Sequence, residues 1–233
     1  RTALQLALFE TWNDLRWYIQ RKGKTDASAL GEAVKVWLKL LAPFAPFLCE
    51  ELWSQTGEAG FISKAPWPKF DECKIDVAAE EQENLIADII ADTLNILKAT
   101  KITPKRLVYF TAASWKWQIY LKVLEKSLSG EAKINELMKE FAADKELKPH
   151  MKEVASLVPK VIKALTKLSA ARKANMLKVK VTDEKMIVQC AVGFLKERFN
   201  AEVSVYGEEE GERYDPKQRS AMAMPYQPAI YIE

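Results

Sequence analysis

Two prolines three residues apart interrupt an apolar helical pattern, and they constrain how the first part of the chain can fold. They are Pro43 and Pro46, within the stretch LAPFAPFLCEELW at residues 41–53. Pro43 disfavours helical geometry at Ala42, so we expect one helix to end there. Pro46 suits the first turn of a helix, where its missing N–H has no helical partner. The stretch therefore predicts a helix, a break and a second helix.

Helical spacing of apolar residues continues on both sides of this break. Residues 1–22 predict an amphipathic helix, and Asp26 or Ser28 can cap the next one. Residues 57–75 contain two glycines and two prolines with few periodic apolar positions, which is typical of a linker. We therefore predict a first domain, residues 1–75, that consists of a helical bundle segment and its exit linker.

The pattern changes near residue 100, where short β-branched and aromatic segments begin to alternate with helical ones. Helical spacing predicts helices at 78–99, 114–128, 131–142, 149–172 with a division at Pro159, and 183–199. Extended segments are predicted at 105–112, 177–181, 202–206 and 228–232, of which 177–181 is a one-sided strand or an extended connection. Alternating strands and helices indicate an α/β unit. The predicted fold is mainly α with a small α/β part: a helical bundle remnant, then an α/β domain at residues 76–233 with a small mixed sheet.

Cysteine and histidine are too scarce to predict a metal centre or a nucleophile–histidine pair. Cys49, Cys73 and Cys190 lie far apart without a CxxC pair, and His150 is the only histidine. Structural zinc sites and Cys–His or Ser–His catalysts need such residues in characteristic patterns. No glycine-rich phosphate loop occurs either. We therefore expect no catalytic residue, no metal ligand, and free thiols in a reducing, cytoplasmic compartment.

The chain contains no apolar run that approaches the ~20 residues needed to cross a bilayer. We therefore expect no membrane partner. The sequence opens with Arg1 rather than Met, and we expect it to be part of a longer protein.

Basic residues are concentrated in one part of the chain. Between residues 144 and 180 there are ten cationic side chains and three acidic ones. On a continuous helix Lys160, Lys163 and Lys167 would lie with Lys152 within about 80° of one another. Such a row could follow the phosphates of a nucleic acid, and Arg172 and Lys173 extend the set of candidates. The alternative is an ordinary helix with its lysines in solvent.

Aromatic and cationic residues alternate in WNDLRWYIQRKGK, residues 12–24, and in SWKWQIYLK, residues 114–122. Stacking of bases beside phosphate contacts would need such a mixture. Helical spacing assigns most of these rings to the core instead. The better candidates for RNA contacts are the cations of the first stretch: Arg16, Arg21, Lys22 and Lys24.

The proline-containing stretch carries a resemblance to a known family. LLAPFAPFLCEELW, followed by APWPKFDE at residues 65–72, resembles the helix junction of the anticodon-binding bundle of class Ia aminoacyl-tRNA synthetases. The residues that match the family pattern are Leu41, Pro43, Pro46, Glu50, Glu51, Leu52 and Trp53. The stretches FLKERFNAEVSVYGEEE and YDPKQRSAMAMPYQPAIYIE resemble the C-terminal domain of archaeal and eukaryotic-type leucyl-tRNA synthetases. The resemblance covers essentially the whole chain.

The resemblance implies a tRNA-binding role without catalysis in this chain. The family joins leucine to tRNA with ATP and magnesium, but its catalytic motifs and editing domain do not occur here. We therefore expect this portion to be inactive alone and to need no cofactor. The implied partner is tRNA-Leu, held through its long variable arm by a monomer.

The resemblance also implies that the end of the chain reads the variable arm. Main-chain groups of Ile230, Tyr231 and Ile232 and the carboxylate of Glu233 would then hydrogen-bond unpaired base edges. Cations such as Lys217 and Arg219 would bind nearby phosphates. The alternative for this peptide is a plain closing strand. The acidic loop at residues 208–210 is expected to repel RNA.

Two other functions remain open at this point. The chain could be the C-terminal region of another class Ia synthetase, although PAIYIE at residues 228–233 argues against the isoleucyl and valyl enzymes. It could also be a helical protein-interaction module without affinity for RNA. A docking module would show neither binding to tRNA nor a steep dependence of binding on salt concentration.

Overall fold

The chain forms two compact units, Arg1–Ile75 and Asp76–Glu233. The computed structural model describes residues 1–23, 26–130 and 133–233. The candidate Lys24 lies outside the described residues.

Unit 1 is helical. Its first helix is continuous from Thr2 to Lys22 but contains one π-helical turn. Its helical elements are α1 (Thr2–Leu4), the π-helical turn (Gln5–Glu10), α2 (Thr11–Lys22), α3 (Ala27–Leu41) and α4 (Pro46–Ser54). The π-helical turn, in which the Thr11 N–H donates to the Leu6 carbonyl, was not predicted. Asp26 caps α3 by accepting the N–H of Ser28 at 2.9 Å.

The break between α3 and α4 confirms the interpretation of the two prolines. α3 ends at Leu41 and α4 begins at Pro46, and the intervening turn is closed by the Ala45 N–H, 3.0 Å from the Leu41 carbonyl. Leu38 and Trp53 pack on the two sides of this turn in one buried cluster. The paired prolines therefore fold one helix back on the next.

Glu50 ties the exit segment to this helical pair. Its carboxylate accepts the N–H groups of Ile62 at 2.8 Å and Ser63 at 3.1 Å, at the start of a 3-10 turn, Ile62–Lys64. Partial desolvation opposes the effect, yet these hydrogen bonds lower the pKa of Glu50 below its ordinary value. The first carboxylate of the EELW motif is therefore a structural cap.

Unit 2 is built on a three-stranded mixed sheet, as predicted. Its strands are β1 (Arg106–Thr111), β2 (Glu202–Gly207) and β3 (Ala229–Ile232), in the order β2-β1-β3. β2 is parallel to β1, and β3 is antiparallel to it with Tyr109 opposite Ile230. The central strand is buried from Leu107 to Thr111, which explains its continuous apolar sequence.

Helices supply the remaining layers of unit 2. They are α5 (Val77–Thr100), α6 (Ser114–Leu128), α7 (Ile134–Ala143), α8 (Met151–Leu165), α9 (Ala170–Val179), α10 (Glu184–Cys190) and α11 (Val192–Phe199). The largest core lies among α6, α7, α8 and α9, where Trp117, Tyr120 and Leu124 are buried as their helical spacing predicts. On one face of the sheet, the Thr93 hydroxyl of α5 lies 3.0 Å from the Tyr109 hydroxyl.

Three predicted features of unit 2 were wrong. Residues 177–179 belong to a helix rather than to a strand, because Ser169 caps α9 and Met176 is buried in the core. The helical region 149–172 is divided at residues 166–169 and not at Pro159, which lies inside α8 on its exposed side. The helix expected at 183–199 is two helices that meet at Ala191.

A buried lysine pins the loop after β2 to the start of α6. The Lys116 ammonium lies 2.8 Å from the Glu208 carboxylate and donates to the carbonyls of Ala221 at 2.9 Å and Ala223 at 2.8 Å. The Lys116 side chain is only 4% exposed. Glu208 also accepts the Ala113 N–H at 3.1 Å. One buried cation therefore satisfies three acceptors.

Replacing Lys116 by Met should lower the free energy of unfolding by about 3–5 kcal/mol, because the Glu208 carboxylate, 16% exposed, and the buried Ala223 carbonyl lose the cation that they share. Lys116→Met combined with Glu208→Gln should recover part of this loss. The matched control is Lys122→Met, which breaks a surface ion pair with Glu140 and should cost at most about 1 kcal/mol. Denaturant unfolding of the 233-residue chain would measure all three. Equal losses for Lys116→Met and Lys122→Met would contradict the assignment.

A buried carboxylate holds the turn that leads into β3. Glu184 is 3% exposed and accepts the N–H groups of Tyr226 and of Ala112, the latter at 3.4 Å. Pro225 and Tyr226 occupy the two central positions of a tight turn, and Tyr226 has a φ of +61°. A positive φ is unfavourable for a bulky side chain and is usually met by Gly at this position. The Tyr226 ring packs 5.2 Å from Trp117, so the core fixes the turn.

The stability of the chain should depend on pH through Glu184. Burial raises the pKa of Glu184 from about 4.5 to about 7, so the folded chain binds this proton more tightly than the unfolded chain. The stabilisation is complete below pH 4.5 and is lost as the pH rises through 7. Relative to Glu184→Gln, the wild type should lose about 2–3 kcal/mol of unfolding free energy between pH 5 and 8. Denaturant titrations of both proteins across this range would test it, and a constant difference would refute the role.

Candidate nucleic-acid interface

The lysines of α8 form an exposed row on one side of a continuous helix. Lys152, Lys160 and Lys163 are exposed, and the opposite side is buried in the core. The buried residues are Val154, Leu157, Val158, Val161 and Leu165. Among the described residues no carboxylate lies within ion-pair distance of these three lysines. We call Lys152, Lys160 and Lys163 the lysine row.

The other three candidate cations of this region, Lys167, Arg172 and Lys173, have neighbours within unit 2. The Arg172 guanidinium lies 2.6 Å from Asp88 and 3.4 Å from buried Glu81. Partial desolvation opposes these carboxylates, but together they raise the pKa of Arg172. The ammonium of Lys173 donates to the Ser127 hydroxyl at 3.1 Å. The structure therefore holds these two side chains in internal contacts.

Lys167 lies beyond the end of α8 and is exposed. Its charge acts on Asp92 of α5. Burial and the neighbouring Asp88 raise the pKa of Asp92, and Lys167 opposes that rise. Lys167 therefore stands at the border between the lysine row and an acidic part of α5.

The cations of α2 belong to unit 1. Arg16 is exposed and donates to the Asn13 side chain at 3.1 Å, and Lys22 is exposed in the last turn of the helix. Arg21 is half-buried. Of the rings in this region, Trp12 is 44% exposed and stacks on Trp37 at 5.7 Å, so the prediction that it is core was only partly right.

The last residues of the chain form an edge strand. The N–H of Glu233 donates to the Arg106 carbonyl at 2.9 Å, and the N–H of Arg106 donates back to the Glu233 carbonyl at 2.9 Å. Residue pairs along two antiparallel strands alternate between hydrogen-bonded and non-hydrogen-bonded. Tyr231 and Val108 are therefore also a hydrogen-bonded pair. β3 thus closes the sheet by pairing with β1 along one edge and leaves its other edge unpaired by any described strand.

The main-chain groups of Ile230 and Ile232 point away from β1, because these residues occupy the non-bonded positions of the ladder. Among the described residues no strand pairs with this outer edge of β3. The strand is half-buried throughout. Of the main-chain groups proposed to meet bases, those of Ile230 and Ile232 are therefore directed outward, and those of Tyr231 are used in the ladder.

The two cations before the tail lie on a turn fixed by a carboxylate. Asp215 accepts the N–H of Arg219 at 2.7 Å and of Ser220 at 2.9 Å. Desolvation opposes these hydrogen bonds, but on balance they lower the pKa of Asp215. Lys217 and Arg219 are exposed on this turn, and the Lys217 ammonium lies 5.9 Å from the centre of the Tyr231 ring.

The acidic loop after β2 is neutralised from within. Glu208 pairs with Lys116, and Glu210 pairs with Lys185. Glu209 accepts from the Ser114 hydroxyl at 3.1 Å and from its N–H at 3.4 Å, at the start of α6, where a negative charge is favourable. The loop is therefore a cap on α6, and its expected repulsion of RNA is weakened by these partners.

The described part of the chain offers neither a metal site nor a membrane-spanning helix. No group of His, Cys, Asp or Glu side chains there could hold a metal ion. Cys49 is a buried free thiol, and Cys73 and Cys190 are exposed ones. No helix there has both the length and the apolar character needed to cross a membrane.

The chain is similar to one family model and to a set of known proteins. Residues 1–110 match the family model of the anticodon-binding domain of tRNA ligases. The whole chain aligns with leucine–tRNA ligases of Methanococcoides burtonii at 35% identity, Methanothrix thermoacetophila at 36% and Pyrococcus abyssi at 35%. It is homologous to the C-terminal part of archaeal leucine–tRNA ligases. The chain spans 24%, 23% and 22% of the lengths of these relatives.

The leucine–tRNA ligase relationship extends beyond the anticodon-binding family model. That model ends within β1, whereas the relatives match every element through β3. The lysine row and the edge strand therefore both lie in the part that this chain shares with leucine–tRNA ligases but not with the family model.

Sequence reasoning missed Arg106 and Tyr214 beside the tail. The Arg106 guanidinium lies 5.1 Å from the centre of the Tyr214 ring, and the Tyr214 hydroxyl donates to the Glu233 carboxylate at 2.9 Å. This hydrogen bond raises the pKa of Tyr214. The two residues are 108 positions apart, so only the pairing of β3 with β1 brings them together.

Proline substitutions should distinguish the two sides of β3. Ile230→Pro removes an N–H that points outward and should destabilise the chain no more than Ile230→Ala does. Tyr231→Pro removes a ladder N–H and should cost about 1–3 kcal/mol more than Tyr231→Ala. The difference between Pro and Ala at each position isolates the N–H from the side chain. Thermal or denaturant unfolding would measure it, and equal differences at both positions would contradict the register.

Proposed function

We propose that this chain is a tRNA-binding portion of a longer leucine–tRNA ligase. The observation that carries the proposal is its relationship, along its whole length, to ligases named for leucine and tRNA. The match of residues 1–110 to an anticodon-binding domain supports the same partner. The geometry adds two surfaces that suit RNA: the lysine row and the open edge of β3.

The lysine row would bind phosphates. Its three ammonium groups stand on a rigid helix whose other side is buried, so binding costs little reorganisation. Because no described carboxylate forms an ion pair with them, all three ammonium groups are available to contact phosphates. Contacts of this kind position an RNA without reading its sequence. Lys167 would extend the row, and Arg16, Arg21 and Lys22 would add contacts from unit 1.

The open edge of β3 would read unpaired bases at the tip of the long variable arm of tRNA-Leu. The outward N–H and C=O groups of Ile230 and Ile232 form a fixed pattern of donors and acceptors. Base edges carry both donors and acceptors, and only unpaired bases present them freely. Lys217 and Arg219 would bind the phosphates beside these bases. One chain would serve one tRNA.

Ligation itself would take place in the rest of the longer protein. The chain spans less than a quarter of the matched Methanothrix and Pyrococcus ligases. We propose that ATP and magnesium bind outside this portion and that it contributes tRNA binding alone. Isolated, it should bind tRNA without charging it.

Binding to two tRNAs would test the proposal. A filter-binding or gel-shift titration should show tighter binding to a tRNA with a long variable arm than to one with a short arm. The logarithm of the binding constant should fall with the logarithm of salt concentration. No binding to either tRNA would reject the proposed function in favour of a protein-interaction module. Equal binding to both would reject only the role of the variable arm.

Neutralising the lysine row should weaken binding to both tRNAs. Lys160→Gln with Lys163→Gln should reduce the salt slope by about 1.5, because each phosphate contact contributes roughly 0.7–0.9. The control is Lys122→Gln with Lys126→Gln, which removes the same charge from lysines already paired with Glu140. The control pair should leave the slope unchanged. Equal effects of the two pairs would show that total charge, not the row, determines binding.

A further inference from the structure

A group of two rings and two cations lies beside β3, on the face of the sheet that carries the half-buried Tyr231 side chain. The Tyr214 and Tyr231 rings meet edge to face, with centres 6.1 Å apart. Arg106 lies 5.1 Å from the Tyr214 ring, and Lys217 lies 5.9 Å from the Tyr231 ring. We call these four residues the tyrosine cluster.

The tyrosine cluster is held in place from three directions. Arg106 belongs to the central strand, and Tyr231 belongs to the edge strand paired with it. Tyr214 precedes the turn fixed by Asp215, and its hydroxyl donates to Glu233 at 2.9 Å. A ring that is fixed before binding loses little conformational entropy when a ligand stacks on it.

The cluster remains open to solvent although its parts contact one another. Tyr214 is 39% exposed, and Arg106 and Lys217 are both exposed. An aromatic surface that a protein keeps exposed beside two cations has the composition of a base-stacking site. A hydrophobic docking surface would show a broader apolar patch.

Charged side chains of both signs surround the cluster, and its two cations lie directly against the rings. Arg106 and Lys217 supply two positive charges, one against each ring. Glu233 supplies one negative charge, which is hydrogen-bonded to Tyr214. Glu202, opposite Arg106 in the sheet, is paired with Lys196 at 2.8 Å. The Asp215 carboxylate is bonded to the N–H groups of Arg219 and Ser220. Each ring of the cluster therefore has a cation beside it that could contact a phosphate.

We propose that the tyrosine cluster is a stacking site for an unpaired nucleobase, with Tyr214 as the platform and Arg106 and Lys217 on the adjacent phosphates. The inference rests on the proposed function, because it takes the RNA held at the open edge of β3 as its ligand. One nucleotide meets the outward groups of β3, and its neighbour turns onto the ring beside that edge. Stacking tolerates any base, so the cluster adds affinity for an unpaired loop without adding a sequence requirement.

Three substitutions of Tyr214 separate stacking from its other contacts. Tyr214→Ala should weaken binding of a long-variable-arm tRNA by about 5- to 150-fold, the range found for the loss of one stacked base. Tyr214→Phe keeps the ring but loses the hydrogen bond to Glu233, and it should stay within about threefold of wild type. Tyr214→Leu keeps apolar bulk without a π-face and should behave like Ala. Melting temperatures of all variants would exclude a loss of folding.

Abasic substitutions in the RNA give the matching half of the test. Each unpaired nucleotide of the variable-arm loop is replaced in turn by an abasic residue, and each RNA is titrated with wild type and with Tyr214→Ala. At one position the abasic RNA should bind wild type about as weakly as Tyr214→Ala binds intact RNA. At that position the two changes together should cost no more than either alone.

The outcomes separate the two proposals. If wild type prefers the long-armed tRNA and Tyr214→Ala binds it equally well, the stacking site is refuted while the proposed function stands. If Tyr214→Phe loses as much affinity as Tyr214→Ala, the hydroxyl and its hydrogen bond matter and stacking is again refuted. If wild type binds no tRNA, the proposed function itself fails.

Discussion

The pairing of β3 with β1 is the constraint on which the C-terminal surface depends. β1 is the buried central strand and uses both of its edges, one for β2 and one for the last strand of the chain. This pairing directs the main-chain groups of Ile230 and Ile232 outward, and it sets Tyr231 beside Arg106 on one face. A short peptide that would be unstructured alone thus becomes a rigid edge. Two carboxylates support it: buried Glu184 holds the turn before the strand, and Asp215 holds the turn that carries Lys217.

Much of the fold could be predicted because local signals agreed with tertiary packing. Pro43 and Pro46 marked the break between α3 and α4 because the geometry of proline acts locally. The alternating segment at 177–181 wrongly indicated a strand. The Ser169 cap and the burial of Met176 favour a helix there, and together they override a short alternating pattern. Pro159 misled for a different reason. It lies on the exposed side of α8, where solvent can satisfy the carbonyl that loses its helical partner.

The candidate site was predictable only where its residues were contiguous. The lysine row follows from helical spacing, and the structure keeps it continuous and exposed. Helical spacing cannot show which cations have partners within the chain. Arg172 is indistinguishable in sequence from the nearby lysines, yet in the structure it pairs with Glu81 and Asp88. Tyr214 and Arg106 meet only through the strand order. No single-sequence pattern records a contact of that range.

The turn at Tyr226 fixes the register of β3, because the strand begins only three residues later. Only Gln227 and Pro228 separate the anchored ring from the first residue of β3. Because successive residues of a strand alternate in direction, inserting a single amino acid between them would invert the strand. Tyr231 would then take the place of an isoleucine, and the outward-facing donors and acceptors would exchange with those now spent on β1. The number of residues between Tyr226 and β3 therefore determines which face each side chain of the strand occupies. An insertion of two residues would keep that alternation, whereas an insertion of one would reverse it.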